Sequence, residues 1–368
     1  MVTMGIFFKL LELLRQEQPC ILATVVETAG SAPQTPGSSA LIGKQGLIAG
    51  TVGGGQAEYQ VISEALKALE TGISKIIHLD MSGNFTEESD TICGGKMAIL
   101  IDSSPGRDLA QFEKLRDSML KHIPGTLLTL IEGEHNSSLY IKRLWTDKEE
   151  NFISSNRLSD EFQLFLKENP DVLKPGEFRK FTVYPEQSGG HAYLYMQPVF
   201  PPPSLVIAGA GHVGKAVAHL GKFLGFEITV WDDRSEFASL ANIPDADFIF
   251  TGPAEKMVSE IMVKEDSYLV IVTRGHKNDA EVLREWIKTA PAYLGMMGSK
   301  TKVSRMKQQF LEEGWATPSE WERVHTPIGI KINSETVEEI AVSIIAELIQ
   351  VKNSRIAQIG ERKAERPI

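Results

Sequence analysis

Ser204-Leu205-Val206-Ile207-Ala208-Gly209-Ala210-Gly211-His212-Val213-Gly214-Lys215 is an apolar run, a Gly-x-Gly-x-x-Gly turn and the opening of an amphipathic stretch. That order predicts a strand, a phosphate loop and a helix. Gly209 permits the tight turn, Gly211 lets backbone approach a pyrophosphate, and Gly214 lets the helix pack against the strand. The helix start offers free N–H groups and a positive dipole end to an anion. A second apolar run, Ile228-Thr229-Val230-Trp231, delivers Asp232 and Asp233 near the position where a ribose hydroxyl needs a carboxylate. The sequence therefore predicts a Rossmann-type fold from about Ser204 onward.

Strands and helices alternate after this point, the pattern of a parallel sheet. Strands are expected at Leu205–Ala208, Ile228–Trp231, Asp247–Thr251, Ser267–Thr273 and Ala292–Met296. Helices are expected near Ala216–Leu224, Ala254–Val263, Ala280–Lys288, Lys300–Glu313 and Glu335–Val351, the last capped by Asn333-Ser334-Glu335. In a doubly wound sheet ligands bind beyond the carboxyl ends of the strands. Three loops fall there: Gly209–His212, Thr273-Arg274-Gly275-His276 and Gly298-Ser299-Lys300. Together they predict a crevice for an anionic ligand, with His212 and His276 as orienting groups or as acid and base. Singly, each loop is also ordinary turn and capping chemistry. The near-match to a P-loop fails, because Ala216 stands where the magnesium-binding hydroxyl belongs.

Upstream of Pro201-Pro202-Pro203, a stiff linker, the texture is that of a mixed α+β domain. Strands are expected at Ile21–Val26, Ser39–Ile42, Leu47–Val52 and Met97–Ile101, with a helix over Ala57–Leu69. Phe7, Leu10, Leu11 and Leu14 sit at helical spacing, a core stripe. From about 106 to 200 signals are fewer, although Thr126–Glu132, Ser138–Leu144 and His191–Met196 alternate as antiparallel strands do. The fold class is thus α/β: a mixed α+β domain over 1–200, a Rossmann-like doubly wound parallel sheet over 201–353, and a charged tail over 354–368. In the first domain Gly53-Gly54-Gly55 ends a strand and opens a helix, so its N–H groups can cradle an anion, with Glu58 accepting from a ligand. Close packing of backbone explains the same glycines. Cys93, in Thr91-Ile92-Cys93-Gly94-Gly95-Lys96, is the candidate for sulfur chemistry, or a small buried hydrophobe.

Composition narrows the class. Cys20 and Cys93 form no disulfide framework and fit a reducing compartment. The apolar start is broken by Lys9 and Glu12 and is too short to span a membrane. A formal net charge of −10 argues against a general nucleic-acid binder. The expectation is a cytoplasmic protein without membrane or nucleic-acid partners and without a metal held directly by its side chains.

The motifs taken together resemble the XdhC/CoxI family of xanthine dehydrogenase accessory proteins, maturation factors for molybdenum hydroxylases. In the N-terminal domain the resemblance rests on Gly30-Ser31-x-Pro33, Gly37, Gly50-Thr51-Val52-Gly53-Gly54-Gly55, Glu58 and Cys93-Gly94-Gly95. In the C-terminal domain it rests on Gly209–Gly214, Asp232-Asp233-Arg234, Thr273–His276 with Asp279, Gly298-Ser299, Pro327-Ile328-Gly329 and Glu338–Glu347. It implies binding of the molybdenum cofactor as cargo, help with its sulfuration, and delivery to an apo-hydroxylase such as xanthine dehydrogenase. A cysteine desulfurase would supply the sulfur. Cofactor contacts would come from Gly209, Gly211, His212, Gly214, Asp232, Arg274, His276, Gly298 and Ser299, and from Gly53, Gly54, Gly55 and Glu58. Gln34 and Gln197 stand where many relatives carry Arg and Glu, which removes an anion contact at Gln34. A homodimer is the expected assembly. The rival expectations are an NAD(P)-dependent oxidoreductase, with Asp232 favouring NAD, and a nucleotide-sensing regulator.

Overall fold

The computed structural model describes residues 2–81, 95–133, 138–147, 160–170, 178–184 and 191–364. The chain divides into two compact units, Met1–Pro201 and Pro202–Ile368. In the first, the order is α1 (Val2–Arg15), β1 (Ile21–Ala29), β2 (Ser39–Gly43), β3 (Gly46–Gly50), α2 (Gly55–Thr71), β4 (Lys75–Asp80), β5 (Lys96–Asp102) and α3 (Leu109–Leu120). It continues with β6 (Gly125–Gly133), β7 (Tyr140–Asp147), α4 (Asp160–Glu168), β8 (Arg179–Tyr184) and β9 (His191–Val199).

Among the described residues these strands form two antiparallel sheets, ordered β3-β2-β1-β5-β4 and β7-β6-β9-β8. Side chains on β1 alternate between two cores, as the period of a strand requires. Ile21, Ala23 and Val25 meet Ala57, Val61, Ala65 and Ala68 of α2, while Val26 meets Ile131, Ile141 and Tyr195 of the second sheet. The two sheets thus face each other, with α2 outside one and Phe162 and Leu166 of α4 against the other. The stripe on α1 behaves as its spacing predicts: Phe7, Leu10 and Leu11 are buried against Phe112, Leu115 and Met119 of α3. Leu14 is only half-buried. The sequence did not single out β4, β8, α3 or α4.

Between the sheets sits a buried charge. Arg143 on β7 pairs with Asp102 at the end of β5 and lies 3.4 Å from Asp108. Its guanidinium also covers the Phe112 ring, 5.6 Å from the centroid. Burial pushes the Asp108 carboxyl up despite Arg143 beside it.

The second unit runs β10 (Ser204–Ala208), α5 (His212–Phe223), β11 (Glu227–Asp232), β12 (Phe248–Thr251), α6 (Ala254–Glu260), β13 (Tyr268–Ile271) and α7 (His276–Trp286). Then follow β14 (Tyr293–Met296), α8 (Lys300–Glu312), α9 (Pro318–Glu322), β15 (Val324–His325) and α10 (Val337–Ala364). The sheet order is β12-β11-β10-β13-β14-β15 and every pair is parallel. That is the Rossmann order, the first strand lying beside the fourth. Leu205 and Ile207 face the core shared with α5 and α10, and Val206 and Ala208 face the core shared with α6, α7 and α8. Helices therefore cover both faces, as a doubly wound sheet demands.

Several boundaries differ from expectation, four of them with a plain structural reading. α5 and α7 begin four residues early, at His212 and His276, because Gly214 and Asp279 are helical. α10 is capped by Thr336 and Glu339, whose side chains exchange bonds with each other's N–H, rather than by Asn333 or Ser334. It continues to Ala364, through the segment expected to be a charged tail; that stretch holds no proline and is rich in helix formers.

Glu347 on α10 ties three elements together. Its carboxylate accepts from Nδ1 of His325 at 2.9 Å, the Tyr293 hydroxyl at 2.6 Å and the Gly329 N–H at 2.7 Å. Burial alone would raise this carboxyl, but the bonds from His325, Tyr293 and Gly329 outweigh it and hold it below its usual 4.5. A carboxyl lowered by folding contributes stability that is complete above 4.5 and is lost as pH falls through the folded value. Thermal unfolding followed from pH 7 downward should show this acid limb, and Glu347→Gln should flatten it while lowering Tm at pH 7. An unchanged limb in the variant would remove Glu347 as its source.

Candidate functional site

At the carboxyl end of the second unit's sheet, β10 and β13 are neighbours whose following helices, α5 and α7, lie on opposite faces. Their loops diverge and leave a crevice, the switch point of the fold. Gly209 turns there with φ +119°, and its N–H donates to the Trp231 carbonyl at 2.7 Å. A Cβ on Gly209 would stand 2.4 Å from the Val272 carbonyl oxygen, and one on Gly214 only 1.8 Å from the Gly209 oxygen. These two glycines let strand, loop and helix touch. Gly211 differs, since a Cβ there would meet nothing within 4 Å. Its open side is the room that an approaching phosphate needs.

No side chain caps α5 or α7, whose cap residues are Gly211 and Gly275. Two helix N-termini with unsatisfied N–H groups therefore open at adjacent strand ends. His212 and His276 are their first residues, and both are exposed. Arg274 is 60% exposed and holds Asp233 at 3.2 Å, joining the loops that flank the end of β10 on either side. An exposed pair of this kind is worth at most about 1 kcal/mol, so Arg274 is available to a competing anion. α8 is different: Ser299 spends its hydroxyl accepting from the Lys302 N–H at 3.3 Å.

Two carboxylates brace this rim. Asp279, 1% exposed, accepts from the Thr273 N–H at 3.1 Å, the Thr273 hydroxyl at 2.6 Å and the Lys302 ammonium. Lys302 in turn donates to the Met297 carbonyl at 3.2 Å, so the loops after β13 and β14 are fastened to each other. Burial pushes the Asp279 carboxyl up despite the bonds from Lys302 and Thr273. Asp232, 2% exposed, is more tightly held. One oxygen accepts from the N–H and Nε of Arg234 at 3.0 and 2.9 Å, the other from the Ala210 N–H at 2.8 Å and the second guanidinium nitrogen at 3.0 Å. Burial would raise this carboxyl, but the bonds from Arg234 and the Ala210 N–H hold it below the usual range.

The dinucleotide that the fold implies matches this geometry only in part. The glycine turn fits a pyrophosphate, but the carboxylate that should take the ribose does not. A carboxylate has about four acceptor positions, and all four on Asp232 are filled from within the protein. Asp232 closes β11 where its sequence position puts it, but its acceptor positions are taken; Arg234, two residues on, is the partner that the sequence did not single out for this.

The first unit has its own glycine-rich end. α2 starts at Gly55 after Gly54, with no side-chain cap, and a Cβ on Gly54 would meet nothing within 4 Å. Glu58 accepts from the Thr51 hydroxyl at 2.7 Å, and Thr51 accepts from the Gly53 N–H at 3.2 Å. A Cβ on Gly95 would lie 2.5 Å from the Ser31 carbonyl oxygen, so the backbone at Gly95 packs on the Gly30–Gly37 turn. That turn is fixed by Gln197, whose amide donates to the Gly37 carbonyl at 3.1 Å, a bond an ionised glutamate could not make. Gln34 accepts from Ser38 at 3.0 Å. Cys93 itself lies outside the described residues. Cys20 is buried, and burial with Asp102 pushes its thiol up to about 11, an inert position. Among the described residues, no group of three or more His, Cys, Asp or Glu is placed to hold a metal ion. No helix there is long and apolar enough to cross a membrane.

Comparison with known proteins follows this division. The XdhC Rossmann domain matches residues 205–348, and the XdhC and CoxI family matches residues 13–80. A Bacillus subtilis protein described as a probable xanthine dehydrogenase subunit is 26% identical, the match covering 97% of this chain and all of that one. An uncharacterised Escherichia coli protein is 25% identical over 95% of this chain, which spans 47% of its length. A crystal structure described as a xanthine dehydrogenase from Bacillus halodurans superposes with a TM-score of 0.71 at 21% identity, covering 95% of this chain and 96% of that one. At that identity the likeness shows the fold. With both matches in order along the chain, and with the glycine turns they span forming the strand and helix ends above, the chain belongs to the XdhC and CoxI family.

Proposed function

We propose that this chain is an accessory protein for a molybdenum hydroxylase of the xanthine dehydrogenase type. It binds the molybdenum cofactor as cargo, assists its sulfuration and delivers it to the apo-hydroxylase, with a cysteine desulfurase as the sulfur source. The observation that carries this is the pair of uncapped helix N-termini, α5 and α7, opening beside the unobstructed Gly211. The cargo is an anionic pterin bearing a phosphate, and such a group suits N–H donors and a positive dipole end. The name carried by the Bacillus subtilis relative supports the choice of partner.

In this proposal the phosphate lies on the Gly209–Gly214 turn. Arg274 exchanges Asp233 for the ligand, and His212 and His276 orient it from the two lips. A charge-assisted hydrogen bond contributes roughly 1.5–3 kcal/mol. Arg274→Ala should therefore weaken cofactor binding about tenfold or more, and His212→Ala somewhat less. Both positions are exposed, so Tm should stay within about 2 °C of the parent. Fluorescence titration with thermal scans checks this, and unchanged affinity in both variants would move the site elsewhere.

A further inference from the structure

Arg234 has no part in cargo binding as proposed, yet it is the most constrained cation at the crevice. Its guanidinium engages both oxygens of Asp232 and stacks on Phe237, 3.7 Å from the ring centroid. The side chain is only 19% exposed, whereas Arg274 at the mouth is 60% exposed. Arg234 is therefore part of the wall and not a mobile arm.

The wall stands where a dinucleotide needs an acceptor. In Rossmann domains that bind NAD, the acid closing the second strand accepts from the ribose hydroxyls. Here that acid is Asp232, the last residue of β11. Two of its four acceptor positions go to backbone N–H groups, of Ala210 and Arg234, which any side chain at 234 would leave in place. The other two go to the guanidinium alone. Asp233 does not replace it, because its carboxylate lies beyond the strand and between Arg274 and Arg234, at 3.2 and 3.8 Å. A ribose brought to this position would lose its hydration and find no acceptor, the kind of mismatch a polar site rejects strongly.

We propose that Arg234 is the specificity-determining residue of the crevice, closing the ribose position so that the glycine turn accepts a phosphate-bearing ligand without an adenosine ribose and rejects NAD. The proposal rests on the crevice being the anion site. Removing Arg234 opens one acceptor on each oxygen of Asp232 and restores the pattern of an NAD-binding strand end. The sign of the effect is diagnostic, since removing a cation should by charge alone weaken the binding of an anionic dinucleotide.

Isothermal titration of the full chain with NAD, and separately with inorganic pyrophosphate, tests both levels. The parent should bind pyrophosphate and show no saturable NAD binding at millimolar concentration. Arg234→Ala should bind NAD at least tenfold more tightly than the parent, with pyrophosphate affinity unchanged or lower. Arg234→Lys keeps a charge but lacks the rigid fork that fills one position on each oxygen, so it should give a smaller gain and covers the case in which the alanine variant does not fold. Equal NAD affinity in parent and variants, or no gain in a folded variant of either kind, overturns the role of Arg234. Absence of pyrophosphate binding in the parent overturns the anion site instead, and the NAD comparison still reports on Arg234.

Discussion

Gly214→Ala is expected to disrupt the second unit and abolish anion binding together. The added Cβ would stand 1.8 Å from the Gly209 oxygen and 2.9 Å from its carbon, both of them backbone atoms that have nowhere to move. Overpacking against a fixed neighbour costs about 3 kcal/mol or more. For a unit of this size that is a fall in Tm of roughly 10 °C. Gly211→Ala is the matching control. Gly211 has φ −75° and open space around it, so alanine fits without strain and Tm should hold. Ligand approach along that face would nevertheless be obstructed and binding should weaken. Thermal scans with anion titrations separate the two variants, and equal stability losses in both would contradict this packing of strand, loop and helix.

The second large effect lies in the first unit. Arg143→Met leaves Asp102, 2% exposed, with the Ser104 N–H as its remaining described partner and Asp108 nearby. Removing one member of a buried pair costs about 3–5 kcal/mol, because the other charge stays desolvated. Replacing Arg143 and Asp102 together by apolar residues should recover much of that loss. Urea unfolding of the single and double variants measures it. A single variant within 1 kcal/mol of the parent, on the order of an exposed pair, would show that Arg143 and Asp102 are not a buried pair.

The Rossmann half was legible because its inner strands β10, β11, β13 and β14 are buried on both faces and so read as largely apolar runs. Leu205–Ala208 and Ile228–Trp231 need no context to be recognised. β15 is only Val324-His325, two residues that carry no period, and its pairing with β14 depends on where the chain returns. Asp247 was expected within β12 but lies just before it, accepting from the Ile228 N–H at 2.8 Å, a strand-edge contact no local pattern encodes. In the first unit, α3 carried a usable signal in Phe112, Leu115 and Met119, spaced as a helical stripe. β4 is an edge strand with Leu79 as its one buried position, so half its pattern is absent.

The candidate site divides the same way. Gly209 and Gly214 announce their close contacts through spacing, since the turn geometry dictates them, and Gly211 between them is left open. The state of Asp232 could not be read, because it depends on Arg234 folding back across two residues and on Ala210 arriving from another strand end. Asp279 and Lys302 are 23 residues apart and meet only when two loops of the sheet are side by side.

A fluorescence titration of the purified chain with molybdenum cofactor, in the presence and absence of NAD, tests cargo binding at the crevice head-on. Saturable cofactor binding is expected, weakened by Arg274→Ala and Gly211→Ala and unaffected by NAD. No cofactor binding, or binding that NAD displaces, would contradict it.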